Sequence, residues 1–258
     1  MGSQPQTIPK RISGMTAFTL VWAGQIISVL ASSMTQFALT IWAYEKTGSA
    51  TALGIVNTSF LIPFLLLSPF AGVMVDRYNR KLMMMLSDLT AITSTVGILI
   101  ISATGQLEMW HLFVASGING LGNTFQWPAY SASISTMVPK EKYTRANGMM
   151  SLIESGPGVL APILAGLLLP LIELNGILII DIITFFFAIG ALSIVLIPQP
   201  KKSSEAQLGQ GNIFKEAVFG FRYIFDRRSL LGLLLFFICL NLVIGLSASL
   251  FAPFILSR

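Results

Sequence analysis

The sequence predicts an all-α membrane protein, a bundle of helices crossing a lipid bilayer, and three observations predict it. First, 54% of the 258 residues are hydrophobic and only 10% are charged, a balance too apolar for a water-soluble domain. Second, the charges leave seven uncharged runs, 12–44, 47–75, 89–107, 109–139, 155–172, 182–200 and 229–257. With flanking residues each reaches the roughly 20 residues that a helix needs to span the hydrocarbon core. Third, the basic residues alternate from one connection to the next. With the N-terminus inside, Lys10, Arg11, Arg77, Arg80, Lys81, Lys140, Lys142, Arg145, Lys201, Lys202, Lys215, Arg222, Arg227 and Arg228 all stay on the cytoplasmic side, fourteen of the sixteen Lys and Arg. Such asymmetry is what fixes the orientation of membrane helices.

In chain order, residues 1–14 form a cytoplasmic tail and 15–198 a six-helix transmembrane domain. The first run is far longer than the apolar core of a signal peptide, and no small-residue cleavage pattern follows it, so it is expected to remain as the first helix. Trp42 and Tyr44, and Trp110 beside Glu108 and His111, stand where an interfacial aromatic belt would be. The third, fifth and sixth spans bring Asp88, Glu154 and Asp181 to or into the membrane, which is costly for a carboxylate. Asp88 is expected near the cytoplasmic face, beside the basic loop, and Asp181 at the outer end of the sixth helix as a cap. Residues 199–228 form a cytoplasmic linker, polar and Ser/Gln/Gly-rich over 201–211. Within it Ile213, Phe214, Ala217, Val218, Phe221 and Ile224 oppose Lys215, Glu216 and Arg222. That spacing suits an amphipathic helix on the membrane surface or a plain connector. Residues 229–258 supply a seventh helix.

Several function classes are excluded by composition. A lone Cys239 forms no internal disulfide, and with a lone His111 there is no Cys/His cluster for a metal or haem. No cofactor is expected. The Met83, Met84 and Met85 run is packing material, and no Gly-rich nucleotide loop is present. The spans hold no catalytic constellation, so an enzyme is not expected. The net charge of +5 comes from membrane-flanking loops, so nucleic acid is not an expected partner.

Between the second and third spans stand Gly72, Asp76, Arg77, Arg80 and Lys81, with Asn79 among them. Alone this is a positively charged inner loop. The order and spacing of these residues, however, resemble the cytoplasmic signature of the major facilitator superfamily. Asn79 replaces a common glycine and could still adopt a left-handed turn, while Gly72 would let two helices approach closely. The resemblance implies a latch that holds the cytoplasmic side closed in one state. In the fifth span Gly148, Pro157, Ala161, Pro162, Ala165 and Gly166 are similar to the exporter branch's Gly- and Pro-containing motif, with three glycines replaced. An ordinary kinked, closely packed helix would carry the same residues.

Trp22, Gly24 and Gln25, the Glu45 to Ala50 turn, Pro128 and Ala129, Val138 and Pro139, Arg145 and Asn147, and Pro253 and Phe254 extend the resemblance toward macrolide-efflux and enterobactin-exporter proteins. It implies a major-facilitator-type bundle of twelve helices in two halves, of which this chain holds the six-helix N-terminal half and one helix of a truncated C-terminal domain. The missing C-terminal half would complete it beyond Arg258. It further implies a multi-pass protein of the bacterial cytoplasmic membrane that exports a drug, a macrolide-like molecule or a siderophore by alternating access, with protons as the coupling ion. An importer of the same fold and a non-transporting scaffold are the alternatives. Ser116 replaces an arginine of many drug/proton antiporters.

Two polar stripes mark a candidate cavity. Gln25, Ser28, Ser32 and Thr35 share one face of the first helix; Asn119, Asn123, Gln126 and Tyr130 follow the helical repeat in the fourth. They either line a path for a small-molecule substrate or hydrogen-bond neighbouring helices; the resemblance, which puts both helices on the central cavity, favours the path. Glu154 lies nine residues past Arg145, about 14 Å into the membrane. A lone carboxylate there is expensive to ionise, so Glu154 is either a proton-coupling residue, also able to meet a cationic substrate, or a neutral structural acid.

Overall fold

A computed structural model describes residues 13–198, 222–240 and 243. The chain divides into two compact units, Met1–Lys202 and Ser203–Arg258. In the first, α1 (Gly14–Thr47), α2 (Ala50–Arg77), α3 (Arg80–Ala103) and α4 (Met109–Met137) are followed by a short 3-10 turn (Lys140–Lys142) and α5 (Tyr143–Ile194). Gly48 ends α1 in the left-handed region at φ 61°, returning its N–H to Tyr44 O at 2.7 Å, and glycine meets no steric penalty there. Ser49 then caps α2 by accepting from Ala52 N.

The 52 residues of α5 make two helices rather than one. Glu173 breaks it at φ 59°, ψ −177°, three residues after Pro170. Ala146 and Met150 on one side of the break share a core cluster with Leu192 and Val195 on the other, so the arms 143–172 and 174–194 fold back antiparallel. They are the fifth and sixth spans. The sixth therefore starts eight residues before the uncharged run and holds Asp181 in its interior. The expectation that Asp181 caps its outer end is corrected.

α1, α2, α3 and the Lys140–Ile194 segment are long and apolar enough to cross a membrane. α4 is 29 residues long, about 43 Å, but carries a polar stripe. Alternate ends meet: the start of α1, the α2–α3 turn, the α4–α5 turn and the end of α5 lie at one end of the bundle. Arg77, Arg80, Lys81, Lys140, Lys142 and Arg145 gather there, and Lys46 lies at the other end.

The outside differs from that of a soluble protein. Leu66, Leu167, Leu171, Phe186 and Phe187 stand exposed, an apolar coat that suits lipid. The interior has two apolar clusters, one toward each end. Ala17, Phe18, Val21, Met83, Met84, Ala129, Tyr130, Met150 and Leu192 form one. Met34, Ala38, Ile98, Leu112, Ala161, Ala165, Ile177 and Leu178 form the other. Buried polar residues lie between them, among them Gln25, Ser28, Asp88, Ser94, Thr95, Ser116 and Asp181.

The second unit describes a helix, α6 (Arg228–Leu240), of 13 residues. Arg222 pairs with Asp226 at 3.7 Å on the turn before it. The expected tail 1–12, most of the linker with its amphipathic helix, and the rest of the seventh span lie outside the described residues.

Candidate functional site: a polar cavity between two apolar clusters

The polar layer opens into a cavity of about 430 Å³ bounded by α1, α2, α3, α4 and the second arm of α5. It is formed because side chains at seven-residue spacing share a helix face. On α1 these are Gln25 and Ser32, with Ser28 and Thr35 beside them; on α3, Asp88 and Thr95; on α4, Asn119 and Gln126, with Ser116 and Asn123. Phe60, Leu39, Leu112 and Phe185 supply apolar wall. Seven of the eight residues expected in the two stripes thus meet around one space. Tyr130 does not: it stacks on Phe18 at 6.1 Å between ring centroids, inside the apolar cluster at the basic end. A helix drifts off any straight line over eleven residues, and Tyr130 has passed the end of the cavity.

Two carboxylates define the cavity, and neither is Glu154. Asp88 accepts from Gln25 Nε2 at 3.2 Å and from Gln126 Nε2 at 3.0 Å, while Gln126 Nε2 also donates to Gln25 Oε1 at 2.8 Å. Asp181 accepts from Ser32 Oγ at 2.9 Å and Thr95 Oγ1 at 3.2 Å. The two acids are 5% and 1% exposed. Since Thr95 and Ser32 lie seven residues beyond Asp88 and Gln25, the acids occupy two levels about 10 Å apart. Asp88 is therefore an interior residue with amide partners, correcting the expectation that it joins the basic loop. Glu154 is exposed on the first arm of α5 and does not line the cavity. Sequence spacing gave Glu154 depth but could not tell which way its helix faces. The i, i+7 pairing of Asp88 with Thr95 was the available signal for Asp88; Asp181 had no such partner on its own helix.

At the basic end the signature residues make a clamp within the bundle. Lys81 Nζ donates to Ser193 O at 2.8 Å and Val195 O at 2.9 Å, at the C-terminus of α5, whose last carbonyls lack helical partners. Arg80 Nη1 donates to Ala132 O at 2.6 Å, near the end of α4. Asn79 is extended at φ −67°, not left-handed, and caps α3 by accepting from Lys81 N at 3.0 Å and Leu82 N at 3.3 Å. This corrects the left-handed expectation. Asp76 is exposed and Arg77 half-buried. A Cβ on Gly72 would meet nothing within 4 Å, so the close approach expected at Gly72 is not made among the described residues. Close approaches occur instead at Gly24 against Ala188, at Gly120 against the Phe60 carbonyl and at Gly122 against Thr90.

Of the fifth-span motif, Pro157, Ala161 and Ala165 are buried in the bundle, Pro162 is half-buried, and Gly148 and Gly166 have open space around them. Trp22 Nε1 ties α1 to this arm through Met149 O at 2.6 Å. His111 is part of a helix start: it accepts from Glu108 N at 3.0 Å, while Trp110 Nε1 donates to Glu108 Oε2 at 3.1 Å.

A family model described as Major Facilitator Superfamily matches residues 21–257. The chain belongs to the major facilitator superfamily. Among similar proteins, Macrolide efflux protein A of Streptococcus pyogenes is 29% identical over 218 residues, covering 84% of this chain and 53% of that protein. Macrolide efflux protein A of Enterococcus faecalis is 29% identical over 188 residues, 73% of this chain and 57% of that protein. Multidrug resistance protein 1 of Bacillus subtilis is 29% identical over 175 residues, 65% of this chain and 42% of that protein. The chain thus spans about half the length of the relatives it matches. Membership agrees with the helical bundle, with an apolar exterior suited to a multi-pass membrane protein, and with the sequence resemblance.

Proposed function

We propose that this chain is the first half, with the start of the second, of an exporter. In this reading it moves small amphipathic molecules, drug-like, macrolide-like or siderophore, out of the bacterial cytoplasm by alternating access. The single observation that supports it most is a 430 Å³ cavity whose polar lining sits in an otherwise apolar, lipid-coated bundle. Such a space suits a ligand with a few polar groups on an apolar body. The names of the relatives, which concern macrolide efflux and multidrug resistance, support the outward direction in this reading. In this reading the basic end faces the cytoplasm, and the clamp of Arg80 and Lys81 on α4 and α5 keeps the half rigid as it rocks against the missing C-terminal half.

A proton gradient supplies the energy in this reading. Glu154 is a coupling candidate through its exposed position on α5, where it is free of the cavity's own hydrogen-bond network. Glu154→Gln in the full-length transporter tests it: substrate-driven proton movement should fall sharply, and unchanged coupling removes the role. The function itself is tested by following a panel of macrolides, cationic dyes and siderophores in cells expressing the full-length protein. Lower accumulation of at least one compound is expected; net accumulation of cargo would instead indicate an importer.

A further inference from the structure

Within the export reading, on which this inference rests, the polar network says which chemical group of a cargo the cavity holds. Asp88 is buried in the bundle with two amide donors for partners. No Lys, Arg or His lines the cavity among the described residues. A carboxylate at such a place is costly unless a positive group or a proton accompanies it.

The second observation lies beside it. Gln126 Oε1 is buried without a hydrogen-bond partner, although Gln126 lines the cavity. Its amide orientation is set by the network: Nε2 serves two acceptors, Gln25 Oε1 and Asp88 Oδ1, and turning the amide over would put oxygen against oxygen at both. The carbonyl oxygen is thus held as an acceptor in want of a donor. Gln25 cannot satisfy it, since its Nε2 is committed to Asp88 Oδ2.

We propose that Asp88 and Gln126 Oε1 together form a binding site for an ammonium group bearing N–H bonds. The carboxylate supplies the charge, and the amide oxygen takes a second N–H. A quaternary ammonium satisfies the first requirement and leaves the second unmet. A neutral amide on the same body meets neither the charge nor its desolvation. Asp181 sits at a different level and is closed by two hydroxyl donors, Ser32 and Thr95, with 1% exposure; it is outside this site. The apolar wall at Phe60 and Leu39 receives the rest of the molecule.

The test uses the whole chain in lipid nanodiscs and three dansyl probes on the same pentyl arm, ending in a primary amine, a trimethylammonium or an N-acetyl amide. Dansyl fluorescence reports binding. The primary amine should bind about tenfold tighter than the N-acetyl form, roughly what one charge-assisted hydrogen bond supplies, with the trimethylammonium between them. Asp88→Asn should abolish the preference for charge. Gln126→Leu should erase the preference for primary over quaternary ammonium and keep that for charge, a split that general loosening of the bundle does not produce. Equal binding of all three probes to the unaltered chain overturns the proposal, as does absence of binding by any, or a charge preference that survives Asp88→Asn. The comparison of probes on the unaltered chain decides even where a variant does not fold. Equal binding with intact efflux in cells would remove the ammonium site alone and leave the export reading standing.

Discussion

At the scale of single residues, the chain places ordinary side chains at backbone positions that carry a definite cost or gain. Asn79 caps α3 through Oδ1. Asn79→Ala should lower stability by about 1 kcal/mol, with Asn79→Asp close to neutral, read as the thermal unfolding midpoint in detergent. Glu173 shows the reverse case. Its φ of 59° with ψ of −177° belongs to a region open almost only to glycine, at a cost of order 1–3 kcal/mol. Glu173→Gly should therefore raise the unfolding midpoint, whereas an extended or helical residue there would show no gain. Neither position was legible in the sequence. A break in an apolar helix is ordinarily announced by glycine, and here the reversal follows Pro170 without one, so the uncharged runs put the start of the sixth helix eight residues late.

At the scale of elements, helices approach closely where a side chain is missing. α4 crosses α2 at Gly120, where an added methyl group would collide with the Phe60 carbonyl oxygen and crowd Pro63 Cγ at 3.1 Å. At Gly117, one turn earlier on the same helix, an added methyl would sit 3.7 Å from Ser59 O, an ordinary contact. Gly120→Ala should thus cost about 1–3 kcal/mol or more by overpacking, and Gly117→Ala almost nothing. Yield of monodisperse protein and its unfolding midpoint measure the difference. The helical spans were readable from sequence because a bilayer imposes length and apolarity at once. The polar stripes of α1 and α4 were readable because seven-residue spacing fixes a shared face. The face of α5's second arm was not, because Asp181 stands there among mostly apolar residues that point both to lipid and to the core, and on α3 the step from Asp88 to Thr95 marks a face without saying which helices it meets. Asp88 and Asp181 could be assigned only once their partners Gln25, Gln126, Ser32 and Thr95 were in place.

On the scale of the whole molecule, the described bundle of residues 13–198 is an apolar coat around two apolar clusters with a polar space between them. The coat and clusters suit the bundle to lipid, and the buried polar layer is costly for stability alone; in the proposed export reading it serves as a place for cargo. The central claim is that this space admits water and solutes while the outer apolar faces meet lipid. Single-cysteine labelling tests it directly. With Cys239 replaced by Ser, Asn123→Cys on the cavity wall and Leu167→Cys on the outer face of α5 are each treated in nanodiscs with a charged, membrane-impermeant maleimide. The account predicts rapid labelling of Asn123→Cys and little of Leu167→Cys. Labelling of the outer position with protection of the cavity position would contradict it.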